Sequence, residues 1–281
     1  MAASRNRGQN EGLVGTFIVT REHRRFTEFA DAVRKYRYIG VCHGTAGVGK
    51  TLSARRYARW DMASSLINDR GPREASDAKI YAELTHSRTV FYTPTVGSTL
   101  RELRHDLPLL LTRANICIEQ HIHPENTAIS RCRPQYVELL IVDEAKRLSM
   151  TALDYLRDLF DRDSISLILI GMPGIDKRLS RYPQLFSRVG FVHTYRPLQN
   201  EELTFVLTRR WHQLGLELDD ADFTDAQAVA TIVRITAGNF RLLNRLFVQI
   251  GRILRLNGLN AITDSTLSRT TSFRQLALSW S

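Results

Sequence analysis

This chain of 281 residues is short of the features that mark several protein classes. It has three cysteines, Cys42, Cys117 and Cys132, an odd number without framework spacing. That excludes a disulfide-stapled secreted scaffold and points to a reducing, cytoplasmic setting. Its wholly apolar runs are brief, such as LLIV at 139–142, far below the roughly 18 residues that suggest a membrane span, so no membrane partner is expected. The first twelve residues, MAASRNRGQNEG, hold no hydrophobic stretch and read as a loose polar arm rather than a secretory signal. No internal repeat or low-complexity tract is visible. With 43% hydrophobic and 24% charged residues the composition is that of an ordinary folded protein, long enough for one or two domains.

Acidic residues are also scarce. Asp and Glu number 29 against 39 Lys and Arg, for a net charge of +10. The surplus is uneven: residues 1–60 hold 12 basic and 4 acidic side chains, residues 173–200 hold 5 and 1, and residues 201–281 hold 9 and 8. A basic excess of this kind favours a polyanionic partner, nucleic acid first. One cluster, Cys117, His121, His123 and Cys132, contains zinc-ligand types, but its spacing matches no common finger and it reads as a polar loop with incidental histidines.

Apolar runs of four to six residues recur in YIGVC (38–42), RTVFYTPT (88–95), VELLIVDEA (137–145), SLILIGMP (166–173) and FVHTYRPL (191–198). Such continuous runs predict strands covered on both faces, as in a parallel sheet. Helical patterns lie between them. One is expected to start at a Ser98 cap with Glu102 close behind, and Pro108 should kink or split it. Another opens at Ser149, with Leu153, Leu156, Leu159 and Phe160 on one face. From about residue 199 strands give way to three successive amphipathic helices. The expected organisation is therefore a flexible arm over 1–12, a three-layer α/β domain over 13–198 with a parallel five-stranded sheet, and a small all-helical lid over 199–281.

Residues 44–51, GTAGVGKT, match the phosphate-cradling pattern G-x-x-x-x-G-K-[ST] without a mismatch, after a strand and before a helix. Gly44, Thr45, Ala46, Gly47, Val48 and Gly49 line the loop, and at the three glycines, where a Cβ would obstruct, backbone N–H groups turn inward around the phosphates. Lys50 brings a charge for the β- and γ-phosphates, and Thr51 a hydroxyl for Mg²⁺. The strand LLIV ends in Asp143 and Glu144 at the carboxyl edge of the sheet, where open α/β sheets bind ligands. Asp143 is placed for the Mg²⁺ shell and Glu144 to take a proton from an attacking water. Arg188 stands where its use would be in a neighbouring subunit's site, with Arg178 and Arg181 as competing candidates. Arg241 opens a helix of the small domain, from which it could answer to the γ-phosphate of its own subunit.

These residues resemble the AAA+ ATPases and, within them, the transposition regulators of the TnsC, TniB and phage Mu B type. The resemblance runs through FIVTREHRRF, GTAGVGKT, LLIVDEAKRL, LILIGMPGI, LFSRV and GNFRLL, over about four-fifths of the chain. It implies ATP and Mg²⁺ as cofactors, duplex DNA bound without sequence choice, and a homo-oligomer in the form of a ring or helical filament of hexamer- or heptamer-like geometry. It also implies a DDE transposase and a target-selection protein of the same transposon as partners. DNA-contacting elements matched from the family fall on Thr99, Arg101 and Arg104, then Thr127, Arg131 and Arg133. One departure stands out: Met172 occupies the strand-end position where many relatives carry a polar residue that orients the lytic water. A thioether cannot donate a hydrogen bond, so either Ser180 or Thr194 substitutes or hydrolysis is slow. The alternative function is that of a helicase loader or replication-initiation ATPase, which would share every nucleotide-site residue.

Overall fold

The computed structural model describes residues 17–68, 75–125, 135–219, 221–259, 261–263 and 267. The expected polar arm, Cys132 and the DNA candidates Thr127, Arg131 and Arg133 lie outside the described residues. The described chain falls into two units, one spanning His23–Tyr195 and the other drawn from Met1–Glu22 and Arg196–Ser281.

In the first unit five short runs pair into one parallel sheet: β1 (Ile39–His43), β2 (Thr89–Tyr92), β3 (Leu139–Val142), β4 (Ser166–Gly171) and β5 (Val189–Thr194), in the order β2-β3-β4-β1-β5. Every residue of β3 and β4 is buried, which is why these strands read as unbroken apolar runs rather than alternating ones. The covering helices are α1 (Arg21–Tyr36), α2 (Lys50–Tyr57), α3 (Trp60–Asn68), α4 (Ala78–Ser87), α5 (Leu100–Ile122) and α6 (Met150–Asp163), with short α7 (Ile175–Leu179) and α8 (Pro183–Phe186) before β5. Ser149 caps α6 by accepting from the Ala152 N–H, and Leu153, Leu156 and Leu159 are buried beneath it.

Three expectations are corrected. The cap of α5 is Thr99, not Ser98: Thr99 Oγ1 accepts from Glu102 N–H while Glu102 returns a bond to Thr99 N–H. A capping box needs its glutamate three residues on, and only Thr99 has one there. Pro108 does not split the helix, which continues to Ile122. Proline removes the bond to the Arg104 carbonyl, and both residues are exposed, where water can serve that oxygen. Finally, the Cys117–His123 stretch is not a loop but the last turns of α5 and its cap. Cys117 is buried in the core while His121 and His123 are exposed, so they do not share a side, and no metal-holding cluster occurs among the described residues.

In the second unit α9 (Asn200–Gln213), α10 (Phe223–Thr236) and α11 (Phe240–Asn257) enclose a core built on Trp211, whose ring meets Phe247 edge-on at 5.3 Å. Leu203, Val206, Leu207, Ile232, Leu243 and Ile250 complete it. Asp222 and Asn239 cap α10 and α11 with side-chain oxygens, and Gly258 ends α11 in the left-handed region. Ile18 packs on the same core, and Glu202 of α9 accepts from the N–H groups of Arg21 and Glu22, so residues 18–22 belong to this helical unit. Among the described residues no helix is long and apolar enough to cross a membrane.

Candidate functional site

The phosphate loop leaves β1 at His43 and enters α2 at Lys50, with Gly47 at φ 81° and Gly49 at φ 116°. Those left-handed angles are open to glycine and strained for other residues, so the loop's turn depends on them. Lys50 is buried, and its ammonium donates to the carbonyls of Gly44 at 2.6 Å and Thr45 at 2.8 Å. A buried ammonium held at the loop's own carbonyls puts its charge where an anion in the loop would sit.

Thr51 Oγ1 donates to Asp143 Oδ2 at 2.7 Å, joining the first turn of α2 to the end of β3. Asp143 is 4% exposed, and its other oxygen accepts the Glu144 N–H at 2.8 Å. Hydroxyl and carboxylate thus stand together, a hard oxygen pair of the kind Mg²⁺ prefers. Glu144 follows at φ 49°, left-handed for a residue with a side chain, and opens a tight turn over Ala145–Arg147. Its carboxylate lies 3.8 Å from the Lys146 ammonium on the exposed side. The donor set, the glycine turns and the paired oxygens together fit a nucleoside triphosphate with a divalent cation.

The turn that carries Glu144 is braced by two arginines. Arg178 donates to the carbonyls of Lys146, at 2.7 Å, and Leu148, and Arg147 donates to the Pro94 carbonyl at 2.8 Å. Arg178, a competing candidate for a neighbouring subunit's site, is thereby engaged within its own chain. Arg188 donates its Nε to Asp161 Oδ1 at 2.6 Å and also binds the Gln184 carbonyl, so in this state it rests on α6. Arg181 is exposed. Beyond the loop, Arg55 pairs with Asp61 at 2.6 Å and Arg59 with Glu83 at 3.3 Å. Arg56 lies near His23, whose ring burial, aided by that charge, pushes from the ordinary value of 6.5 down to about 4.

At the strand ends, Met172 follows Gly171, which is in register with His43. Neither proposed substitute is idle: Thr194 Oγ1 lies 3.3 Å from His43 Nε2, and Ser180 Oγ donates to the Lys177 carbonyl at 2.9 Å. Of the DNA candidates that are described, Thr99 is the helix cap, Arg104 lies over the Tyr155 ring at 5.6 Å, and Arg101 is exposed. The loop before them carries Val96, 86% exposed. In the helical unit Arg241 is exposed, with its backbone N–H on the Asn239 cap.

Sequence reading missed Tyr195. It is buried at the end of β5, its N–H bonds the His43 carbonyl at 2.7 Å, and its hydroxyl bonds Ser53 Oγ at 2.8 Å. Nothing in the pattern RPLQNEEL or its approach distinguishes this tyrosine from an ordinary core aromatic.

Comparison with known proteins gives matches of three kinds: to a family model, to relatives in sequence and to solved structures. A family model described as an AAA domain matches residues 33–179. A potential ATP-binding protein of Staphylococcus aureus is 42% identical over 256 residues, 89% of this chain and 93% of the relative. The Mu-like prophage FluMu DNA transposition protein B of Haemophilus influenzae is 24% identical over 82% of this chain and 71% of its own length. Among solved structures, the Thermotoga maritima RuvB Holliday junction branch migration motor superposes with a TM-score of 0.55 at 17% identity, over 92% of this chain and 70% of that one. The Aeropyrum pernix ORC2 protein gives 0.55 at 14% identity, over 94% and 72%. At such identities these two show a shared fold.

Proposed function

Because this chain belongs to the AAA domain family, we propose that it is an ATP-hydrolysing regulator of DNA transposition that assembles on duplex DNA and lets go when its nucleotide is spent. The observation that carries the nucleotide part of this reading is the set formed by Lys50, Thr51 and Asp143, already bonded into place by contacts of 2.6–2.8 Å. Bound ATP and Mg²⁺ would supply the transferable γ-phosphoryl group and the charge that stabilises its departure. Lys50 offers its ammonium to the phosphates, and the N–H groups of Gly44 to Gly49 surround them. Thr51 and Asp143 hold the cation's shell. Glu144 accepts the proton of the attacking water.

Met172 offers the water no polar guide, which makes slow basal hydrolysis, raised by DNA and by a transposase, the expected behaviour. Arg188, once released from Asp161, completes a neighbour's site, and Arg241 responds to the γ-phosphate. The likeness to the Haemophilus transposition protein B supports transposition as the setting. The net charge of +10 supports a DNA partner bound through phosphates, with Arg101 and Arg104 as contacts and Thr127, Arg131 and Arg133 as further ones. A DDE transposase and a target-selection protein are the partners that follow. Electron microscopy with duplex DNA and a non-hydrolysable ATP analogue tests this: rings or filaments on the DNA are expected. Nucleotide binding without any DNA-bound assembly would overturn it.

A further inference from the structure

We propose that Tyr195 is a positioning residue for the phosphate loop, acting through its hydroxyl bond to Ser53 and its carbonyl behind Gly44. The inference rests on nucleotide occupying the loop and not on the DNA or transposition reading. Four observations converge on it. Tyr195 is 4% exposed at the end of β5, and its N–H bonds the carbonyl of His43, the residue just before the loop. A side chain at Gly44 would start 2.3 Å from the Tyr195 carbonyl oxygen, so that backbone forms the loop's rear wall at its first residue. A Cβ at Gly49, the loop's last glycine, would lie 3.3 Å from the Tyr195 hydroxyl oxygen. That hydroxyl bonds Ser53, one turn beyond Lys50 on α2 and itself 2% exposed, at 2.8 Å.

One tyrosine therefore touches both ends of the loop and the helix that carries Lys50. The Lys50 ammonium takes its place from the carbonyls of Gly44 and Thr45, so a shift at Gly44 or α2 moves the charge that meets the phosphates. Phe26, at the centre of an aromatic group with Tyr57, His193 and Tyr195, keeps the tyrosine ring in place without its hydroxyl. Hence Tyr195→Phe keeps the ring and removes the hydroxyl that bonds Ser53. Tyr195 is also the last residue of the α/β unit, and its successor Arg196 is held by Glu22 through its N–H at 3.2 Å.

The test is a titration of the full chain with a fluorescent ATP analogue, alongside thermal unfolding without nucleotide and steady-state ATP hydrolysis. Tyr195→Phe and, from the other side, Ser53→Ala should each weaken nucleotide binding roughly threefold to tenfold, the range expected for one hydrogen bond. KM should rise with kcat little changed. The double variant should be no worse than either single one, because both delete the same bond. Wild-type affinity in both single variants, whatever their melting temperatures, would overturn the proposal and leave the ATP-binding reading standing. Absence of nucleotide binding by the wild-type chain would overturn both.

Discussion

The two units place their polar side chains under opposite constraints. In the α/β unit Lys50 and Asp143 are buried, and each is satisfied by a partner belonging to the same site. In the helical unit one buried charge, Arg210, 5% exposed, donates to Gln213 at 2.8 Å and lies over the Phe240 ring, while its Nε finds no acceptor among the described residues. The first arrangement suits a ligand, and the second is a fixture of packing with one donor left unmet among the described residues. Changes in the α/β site should thus alter binding more than stability, and changes in the helical core should do the reverse.

The largest effect should come from the helical core. Trp211→Ala removes a ring that is 1% exposed and packed on Phe247, at a cost of about 3–5 kcal/mol. Denaturant unfolding would show it as a lower midpoint; a wild-type midpoint would mean that Trp211 is not the centre of that core. Lys50→Ala inverts the pattern. It should lower affinity for a fluorescent ATP analogue on the order of 100-fold, the usual consequence of truncating a buried charge that meets an opposite one. Its unfolding without nucleotide should stay near wild type, and a collapse of the fold would instead class Lys50 with Trp211.

A smaller effect is expected where charge is exposed. Replacing Arg101 and Arg104 together with alanine should weaken duplex binding roughly tenfold and reduce the log–log salt slope by about 2, if each contacts a phosphate. Arg104 also lies over Tyr155, so Arg104→Lys, which keeps the charge, separates a phosphate contact from a packing one. Unchanged binding and slope in the double variant would move the DNA surface elsewhere.

Legibility from sequence divides along a similar line. GTAGVGKT and LLIVDEA could be read because each is contiguous: a strand, a turn and the reactive side chains follow one another, and backbone geometry alone brings them to the sheet's edge. Sheet class was legible for the same reason, since β3 and β4 are buried throughout. The α5 cap was misplaced by one residue because Ser98 and Thr99 are both good caps, and only the spacing to Glu102 decides between them. Contacts between distant residues carry no such local mark. Tyr195 meets Ser53 across 142 positions, and Arg188 meets Asp161 across 27. For Arg188 the surroundings matter most: sequence offers it to a neighbour, whereas its resting partner is an aspartate on its own α6.

The finest distinction between the units lies in how each buries a basic group. Burial lowers the proton affinity of both His23 and Arg210. An arginine stays charged regardless, so Arg210 adds nothing to the pH dependence of stability near neutrality. His23 is different, because about 4 in the folded chain lies below the ordinary 6.5. Between those values the unfolded chain takes up a proton that the folded chain refuses. Stability from this residue is therefore complete above pH 6.5, declines as pH falls toward 4, and is constant below that. The ring is only partly buried, so solvent screening should keep its share to about 1 kcal/mol or less. The melting temperature of wild type relative to His23→Gln should fall as pH falls across that window, since glutamine has no proton to gain. Curves that remain parallel would show that Arg56 and burial do not hold His23 neutral, and that acid sensitivity arises from the carboxylates instead.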